Sequence, residues 1–189
     1  MQQVLSRCRV VVAVVGAAMV ALSGSACTPS GQMFAKADSG IGGPKQANAL
    51  VVRVVDGDTV DVRHDERGRL RVRILGVDAD ELRAEDSGER CFAQLAKVFA
   101  VAALADRRVG IVEDETQART DRYGRTLSYV FTESGSNFSV DLAQAGLARS
   151  VVFGGKPVAA HQEIAAAEIE ARAAKRGRWG SSCDGAQIR

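Results

Sequence analysis

The stretch over residues 69–77 (RLRVRILGV) constrains the fold most, because apolar and charged residues alternate strictly along its first half. Successive side chains of a β-strand point to opposite faces, so Leu70, Val72 and Ile74 would share one face. The opposite face would carry Arg69, Arg71 and Arg73. The pattern predicts a strand that packs one face on a hydrophobic core and turns arginines outward.

Other short stretches of apolar and β-branched residues indicate that this strand has neighbours. Strands are predicted over residues 49–55, 59–64, 108–113 and 127–132. The dipeptides Asp56-Gly57 and Arg67-Gly68 are typical of the hairpin turns between them. Apolar residues at helical spacing predict helices over residues 89–105, 140–145 and 159–176. Five short strands joined by tight turns favour a small barrel within an α+β fold.

The charge balance excludes a chain that coats nucleic acid through a uniformly basic surface. The 189 residues include 25 lysines and arginines against 23 aspartates and glutamates. With a formal net charge of +2, any anion-binding site has to be a local arrangement of charge. The length suits one domain with an appendage.

The N-terminal residues have the order of an export signal. Two arginines precede an apolar run over residues 10–22, and small residues follow it. The run is shorter than the roughly 20 residues that a membrane-spanning helix needs, which favours a signal peptide over residues 1–26 rather than an uncleaved anchor. Residues 27–48 are small, polar and glycine-rich, which predicts a flexible linker. We therefore expect an exported protein, either a cell-membrane lipoprotein facing outward or a secreted one.

Cys27 stands where a lipoprotein signal carries its lipidated cysteine, with Gly24 at a position where such signals usually have Leu. Gly24 and Ala26 also fit ordinary signal-peptidase cleavage. Lipidation of Cys27, with membrane attachment through that lipid, is the favoured expectation of the two.

The cysteines outside this N-terminal region are Cys91 and Cys183. Two remaining cysteines in an exported protein predict one disulfide, which would tie the C-terminal segment to the first helix. The alternative is a pair of buried thiols. The folded domain is expected over residues 49–183, followed by a tail over residues 184–189.

Three short motifs contain residues suited to chemistry. They are Asp56-Gly57-Asp58-Thr59, then Arg73 with Asp78-Ala79-Asp80-Glu81, and residues 119–125 (RTDRYGR). Each alone is explained by a hairpin turn, a solvated acidic loop or a charged turn. Together they supply carboxylates that hold a hard cation, arginines that fork onto phosphate oxygens, and a carboxylate that takes a proton from water. This combination of groups is suited to metal-assisted phosphodiester hydrolysis.

In order and spacing, these motifs resemble the staphylococcal nuclease (thermonuclease) family. Residues 55–60 (VDGDTV) and 119–125 are close to family motifs, and Gly146-Leu147-Ala148 and Trp179 also fit. The resemblance covers residues 50–179 and implies a five-stranded OB-type β-barrel with three α-helices. It implies a calcium-dependent endonuclease that hydrolyses DNA and RNA and leaves 3′-phosphate ends. We expect a monomer.

The resemblance assigns metal and proton-transfer roles to four residues of this sequence. It implies that Ca²⁺ is held by the carboxylates of Asp58 and Asp78 and by the backbone carbonyl of Ala79. It implies that Glu81 is the general base or positions the attacking water.

Substrate contacts are assigned in the same way. The resemblance implies that Arg73 and Arg125 bind the phosphate and stabilise charge in the transition state. It implies that Tyr123 lies along the nucleotide pocket, where we expect Arg122 and Phe153 to contribute as well.

The sequence departs from the family in the acidic segment and in its aromatic residues. Asp80 stands where the family usually has Pro, which removes a φ restraint and adds a negative charge beside Glu81. Asp80 is expected either to bind metal or to weaken the approach of phosphate. The loop over residues 82–90 is acidic and shorter than in the type enzyme, and Phe153 is the one aromatic residue available for stacking after Gly-Leu-Ala.

Two other functions compete with the nuclease. One is a non-catalytic OB-fold envelope lipoprotein that binds single-stranded nucleic acid. The retained Arg and Glu positions count against it, and so does the aromatic content of 5%, because such binding depends on stacking. The other is a structural envelope lipoprotein, for which Asp80 is the only support. Replacing Glu81 by Gln separates these functions, since it should abolish cutting and spare binding.

Overall fold

The computed structural model describes residues 41, 43, 44, 46–180 and 183 of the chain. The predicted signal peptide over residues 1–26, Cys27 and the tail over residues 184–189 lie outside the described residues, as does most of the predicted linker. Every helix within the described residues is too short or too polar to span a bilayer.

The end of the predicted linker already contacts the folded domain. Asn48 Nδ2 donates a hydrogen bond to the carbonyl of Ile111 at 3.0 Å, and Asn48 Oδ1 accepts one from the Ile111 N–H at 2.8 Å. Ile41 packs against the hydrophobic core. The packed chain therefore begins before the predicted boundary at Ala49.

The described part of the chain contains seven strands: β1 Ala49–Val54, β2 Thr59–His64, β3 Gly68–Ile74, β4 Val77–Ala79, β5 Arg108–Val112, β6 Thr126–Phe131 and β7 Ala148–Ser150. Five of them close into a barrel in the spatial order β1–β2–β3–β6–β5. Neighbouring strands of the barrel run antiparallel except β3 and β6, which are parallel. With three α-helices, this barrel confirms the predicted α+β architecture.

The alternation along β3 sets the register of the barrel. Val72 and Ile74 are buried, whereas Arg69 and Arg71 are exposed. Val72 lies opposite Val60 of β2, which is also buried. A slip of one residue would move the arginines into the core, so burial of the apolar face fixes the pairing.

The prediction of one continuous strand over residues 69–77 is wrong, because the structure divides this stretch into two strands. β3 ends at Ile74, and β4 begins at Val77 after a turn. Gly76 in this turn has a φ of +79°, and a Cβ there would lie 2.5 Å from Cδ1 of Ile164. Both the left-handed backbone and the close approach require glycine at this position.

β4 pairs with β7 in a two-stranded sheet beside the barrel, and the sequence did not predict β7. In this pairing Asp78 lies opposite Arg149, and Ala79 lies opposite Ala148. The acidic segment, which taken alone could be explained as a solvated loop, therefore begins as a short strand, which fixes the positions of Asp78 and Ala79.

Among the residues that the structure describes there are three α-helices: α1 Ser87–Leu104, α2 Phe138–Gln144 and α3 His161–Ala173. The side chain of Asp86 caps α1 by accepting a hydrogen bond from the Glu89 N–H at 3.0 Å. The buried side of α1 consists of small and apolar residues, namely Ala93, Ala96, Ala100 and Leu104. α3 is shorter at both ends than the predicted helix over residues 159–176, and it buries Ile164, Ala167 and Ala171.

A disulfide connects Cys91 of α1 to Cys183, with Cα atoms 5.9 Å apart. The two cysteines are separated by 92 positions in the sequence. The bridge ties the C-terminal part of the described chain to the first helix.

Candidate active site

Asp58, which directly precedes β2, is buried and held in a fixed orientation. Its Oδ1 accepts a hydrogen bond from Thr59 Oγ1 at 3.0 Å, and its Oδ2 accepts one from the Ala79 N–H at 2.9 Å. Gly57 permits this approach, because a Cβ there would lie 2.6 Å from the Cβ of Ala96 in α1. The turn between β1 and β2 therefore packs a carboxylate against β4.

Arg73 lies between Asp58 and Asp78. Its Nη2 is 3.1 Å from Asp58 Oδ2 and donates a hydrogen bond to Asp78 Oδ1 at 2.9 Å. Its Nη1 donates to the carbonyls of Ile74 and Val77, both at 2.8 Å. Although Arg73 shares the outward face of β3, these contacts with β4 leave it only 8% exposed. Two carboxylates thus converge on one guanidinium nitrogen.

Burial controls the ionisation of Asp58. Removal from water raises the pKa of the Asp58 carboxyl to about 6, although the Arg73 guanidinium and the Ala79 N–H act in the opposite direction. The nearby Asp56 carboxylate adds to the rise. One guanidinium shared between Asp58 and Asp78 does not offset this negative charge, so a cation bound here would stabilise the ionised carboxylates.

The donor atoms of this cluster suit an oxygen-preferring cation. Within the described residues, no three side chains of His, Cys, Asp or Glu converge closely enough to form a metal centre by themselves. Asp58 and Asp78 nevertheless bring two carboxylates together, and backbone carbonyls and water commonly complete the shell of Ca²⁺ in proteins. The residues present therefore fit Ca²⁺, with the carbonyl of Ala79 as the expected third ligand.

Glu81 and Asp80 occupy different environments although they are adjacent. Glu81 is exposed at the start of the loop between β4 and α1, where its carboxylate meets solvent. A general base must reach the water from which it takes a proton, and contact with solvent permits this. Asp80 is buried, and its Oδ1 accepts a 2.7 Å hydrogen bond from Arg178 Nη1. The Asp80 carboxylate therefore pairs with a distant arginine, which is neither of its two expected roles.

The motif over residues 119–125 contains a tight turn organised by Asp121. Asp121 Oδ1 accepts hydrogen bonds from the N–H groups of Tyr123 and Arg125, both at 2.9 Å, and Oδ2 accepts one from Arg125 Nε at 2.6 Å. Burial would raise the pKa of Asp121, but these hydrogen bonds hold it below its usual value. The ionised Asp121 therefore fixes the direction in which the Arg125 guanidinium leaves the turn.

Exposed aromatic rings accompany the arginines of the site. Tyr123 is 67% exposed, and the guanidinium carbons of Arg122 and Arg125 lie 4.8 and 5.4 Å from its ring centre. Phe153 is 61% exposed, and its ring centre lies 5.8 Å from the guanidinium carbon of Arg73. Both rings are accessible for stacking on a nucleotide base.

The structure brings the expected site residues into two groups. The first group contains Asp58, Arg73, Asp78 and Ala79, with Phe153 beside Arg73. The second group contains Arg122, Tyr123 and Arg125. The parallel pairing of β3 and β6, in which Arg73 lies opposite Leu127, places the second group beside the same strand as the first.

Sequence reasoning missed three residues that hold the site. Asp121 carried a usable signal, because an aspartate three positions before a glycine is typical of a turn. Arg149 and Arg178 carried none, since they approach Asp80 only through the fold, at 3.6 and 2.7 Å.

Comparisons with known proteins agree with this geometry. Residues 71–181 match the family model described as staphylococcal nuclease homologue. The chain is 31% identical over 167 residues to the thermonuclease of Staphylococcus hyicus, a match that covers 88% of this chain and 94% of that protein. It is 36% identical over 104 residues to the thermonuclease of Staphylococcus intermedius, covering 55% of this chain and 60% of that protein. It is 34% identical over 137 residues to the micrococcal nuclease of Shigella flexneri, covering 68% of this chain and 71% of that protein.

Proposed function

The chain belongs to the staphylococcal nuclease family, and from this premise we propose that it is a calcium-dependent endonuclease that hydrolyses the phosphodiester bonds of DNA and RNA. The observation that carries the proposal is the convergence of Asp58 and Asp78 on Nη2 of Arg73. Metal-assisted hydrolysis can use carboxylates that hold a cation beside a guanidinium that binds the anionic phosphate.

The carboxylates of Asp58 and Asp78 and the backbone carbonyl of Ala79 would hold Ca²⁺. When bound, the ion neutralises phosphate charge and polarises a phosphoryl oxygen. The burial of Asp58 supports this assignment, because it leaves a carboxylate that gains from a cation nearby.

Arg73 and Arg125 bind the scissile phosphate in this proposal. A guanidinium presents paired N–H donors whose spacing matches two phosphate oxygens. In Arg73 these would be Nε and Nη2, because Nη1 donates to two carbonyls and Asp58 and Asp78 would release Nη2 when they hold the cation. Two backbone carbonyls orient Arg73, and Asp121 orients Arg125. Donors that are oriented in advance lose little free energy to reorganisation when charge builds up on the phosphate oxygens.

Glu81 accepts a proton from the attacking water. The water oxygen forms a bond to phosphorus while the bond between phosphorus and the 5′ oxygen breaks. The leaving 5′ oxygen takes up a proton from solvent, so the products are a 3′-phosphate and a 5′-hydroxyl. Solvent exposure of Glu81 supports this role, since the carboxylate needs contact with water.

Hydrolysis of single-stranded DNA and of RNA by the purified protein tests the proposal. Cutting should require Ca²⁺, stop in EGTA and fall by about 10²–10⁴-fold in Glu81→Gln. Glu85→Gln, which changes another exposed carboxylate of the same loop, is the matched control and should keep its activity. Polynucleotide kinase should label the 5′-hydroxyl of the fragments without prior phosphatase treatment.

Two results would contradict parts of this mechanism. Cutting that survives Glu81→Gln would exclude Glu81 as the base, and cutting that survives EGTA would exclude the metal. A wild-type protein that binds oligonucleotides but leaves them intact with Ca²⁺ would be a nucleic-acid-binding OB module instead.

We also propose that the protein is exported, attached to the membrane through lipid on Cys27, and monomeric. The order of basic, apolar and small residues near the N-terminus supports export, and so does the disulfide between Cys91 and Cys183. Labelling with a fatty-acid analogue should mark the wild type and Cys8→Ser but not Cys27→Ser. Light scattering of the purified protein tests the monomer.

A further inference from the structure

The outer face of β1, β2 and β3 carries arginines that the chemistry above does not use. Four exposed arginines lie on it, namely Arg53 of β1, Arg63 of β2, and Arg69 and Arg71 of β3. Asp61 of β2 is the acidic residue among them. The near-neutral chain thus concentrates positive charge on one part of its barrel.

One of these arginines is neutralised within the face. Asp61 lies opposite Arg53 on one side and opposite Arg71 on the other. Its carboxylate accepts hydrogen bonds from Arg71 Nε at 2.7 Å and Nη2 at 3.1 Å, and these hydrogen bonds hold the pKa of Asp61 below its usual value. Arg53 and Arg69 form no ion pair with any other residue that the structure describes.

A like-charged pair lies next to this row. Arg63 and Arg69 are directly opposite one another on β2 and β3. Like charges at such positions destabilise a sheet. A bound polyanion would remove this repulsion, because it places negative charge beside both guanidinium groups.

A groove of about 580 Å³ lies between this face and the turn that holds Arg125. Its walls include Arg53, Arg69 and Arg71 on one side and Tyr123 and Arg125 on the other. The exposed Tyr123 ring offers a flat surface for a base within a cavity lined by guanidinium groups. We call this cavity, with these five residues, the outer-face groove.

The outer-face groove is continuous with the proposed site of hydrolysis. Arg69, Arg71 and Arg73 share one face of β3, and successive ones are about 6.6 Å apart along the strand. Arg73 is the member that reaches Asp58 and Asp78. A nucleic-acid strand whose scissile phosphate lies at Arg73 would therefore meet a row of guanidinium groups that leads away from the bond that is cut.

We propose that the outer-face groove extends the binding of single-stranded nucleic acid beyond the scissile phosphate and the nucleotide at Tyr123, with further phosphates at Arg53 and Arg69. This rests on the proposed nuclease function and adds a second contact to it. A single strand fits better than a duplex, because its bases are unstacked and reach an aromatic ring. The concave shape of the groove also suits a narrow chain better than a flat anionic membrane.

The test compares oligonucleotides of two lengths. Single-stranded DNA of about 12 nucleotides lies within the span of one OB fold, whereas about 3 nucleotides would fill only the site at Arg73. Binding is measured by fluorescence anisotropy in EGTA, with the full chain carrying Glu81→Gln, so that the DNA stays intact. Arg53→Gln with Arg69→Gln is the test variant. Arg107→Gln with Lys175→Gln removes the same charge at exposed positions outside the groove and is the control.

The test variant should bind the long strand about tenfold more weakly than its parent does. Its affinity for the short strand should equal that of the parent. Loss of two phosphate contacts should make the plot of log association constant against log salt concentration less steep, by about 1.4 in slope for a single strand. The control variant should change neither quantity. In the otherwise wild-type enzyme, kcat/KM for the long strand should fall while kcat at saturation stays the same.

Four results would overturn the inference and leave the proposed hydrolysis standing. The first three are equal losses of affinity for both strand lengths, no loss for either length, and an equal loss in the control variant. A fourth is that Arg53→Gln with Arg69→Gln abolishes binding to phosphatidylglycerol vesicles but not to the long strand, which would assign the groove to a lipid surface. Degradation of the DNA by the Glu81→Gln protein in EGTA would instead refute the proposed calcium requirement and the proposed base, independently of the groove.

Discussion

Asp80 Oδ1 accepts a 2.7 Å hydrogen bond from Arg178 Nη1, and this ion pair joins residues 98 positions apart. The two side chains are 4% and 10% exposed. Arg149 Nη2 lies 3.6 Å from the same oxygen of Asp80. Because Asp80 stands between Ala79 and Glu81, the pair holds the backbone between a proposed metal ligand and the proposed base. It restrains this segment by a tertiary contact where the family usually has the fixed φ of a proline.

We expect Arg178→Ala to lower the free energy of unfolding by about 3 kcal/mol, because it leaves a buried carboxylate without its main partner. Urea denaturation measures this change. Arg107→Ala is the control, because Arg107 Nη1 lies 3.7 Å from Glu133 Oε2 in an ion pair whose two side chains are exposed. Its loss should lower the free energy of unfolding by less than about 1 kcal/mol.

A double-mutant cycle isolates the interaction between the two side chains. Asp80→Ala with Arg178→Ala should cost less than the sum of the single changes, because no unpaired charge remains buried. Equal losses for Arg178→Ala and Arg107→Ala would show that the pair adds little to stability.

The barrel could be predicted from the sequence because each of its signals is local. Alternation along β3 depends on neighbouring residues, and so do the turn residues Asp56-Gly57 and Arg67-Gly68. β2 and the first residues of β3 and β5 lie at or within one residue of their predicted positions. The break at Gly76 was missed because the apolar run continues through it, while the packing of Ile164 that demands glycine is set by α3.

The candidate site could be predicted where one motif supplies its own partners or where the family resemblance joins two motifs, as it does for Asp58 and Asp78. Asp78 and Ala79 follow Arg73 closely, and the structure brings them together as expected. The partner of Asp80 could not be predicted, because Arg178 reaches it from the C-terminal end of the fold. The exposed arginines of β3 were visible in the sequence, but the groove they line depends on the turn that carries Tyr123.

Buried Asp58 predicts how the stability of the metal-free protein changes with pH. Its pKa is about 6 in the folded state against 3.8 for an ordinary aspartate, so the folded state binds this proton more tightly. The contribution of Asp58 favours folding below about pH 4 and is lost as the pH rises to about 6, by up to about 3 kcal/mol. Urea denaturation of the wild type and Asp58→Asn in EGTA, at a series of pH values between these limits, isolates the effect. Parallel stability curves for the two proteins would show that Asp58 titrates normally.

Calcium should reverse this trend. Cation binding requires the ionised carboxylate, so added Ca²⁺ should stabilise the wild type more above pH 6 than below it. Asp58→Asn should show a much smaller gain at either pH. A gain in the variant that equals the wild-type gain would place the ion elsewhere.

Replacing Arg73 by Lys separates charge from geometry. Arg73 spans two backbone carbonyls and two carboxylates, which a single ammonium group does not reproduce. We expect kcat for single-stranded DNA to fall by about 10²–10³-fold, the typical loss for one oriented donor. Arg67→Lys, at an exposed pair with Glu113, is the control and should keep full activity. If Arg73→Lys retains kcat, positive charge alone is sufficient at this position.

The disulfide should contribute to stability through the same C-terminal segment as Arg178. Cys91 and Cys183 close a loop of 92 residues, for which chain entropy gives up to about 4–5 kcal/mol. Cys91→Ser with Cys183→Ser should therefore lower the free energy of unfolding, measured in urea under oxidising conditions. Because the disulfide and the pair between Arg178 and Asp80 restrain the same segment, adding Arg178→Ala to the serine variant should cost less than in the wild type. An equal cost in both backgrounds would mean that the two restraints act independently.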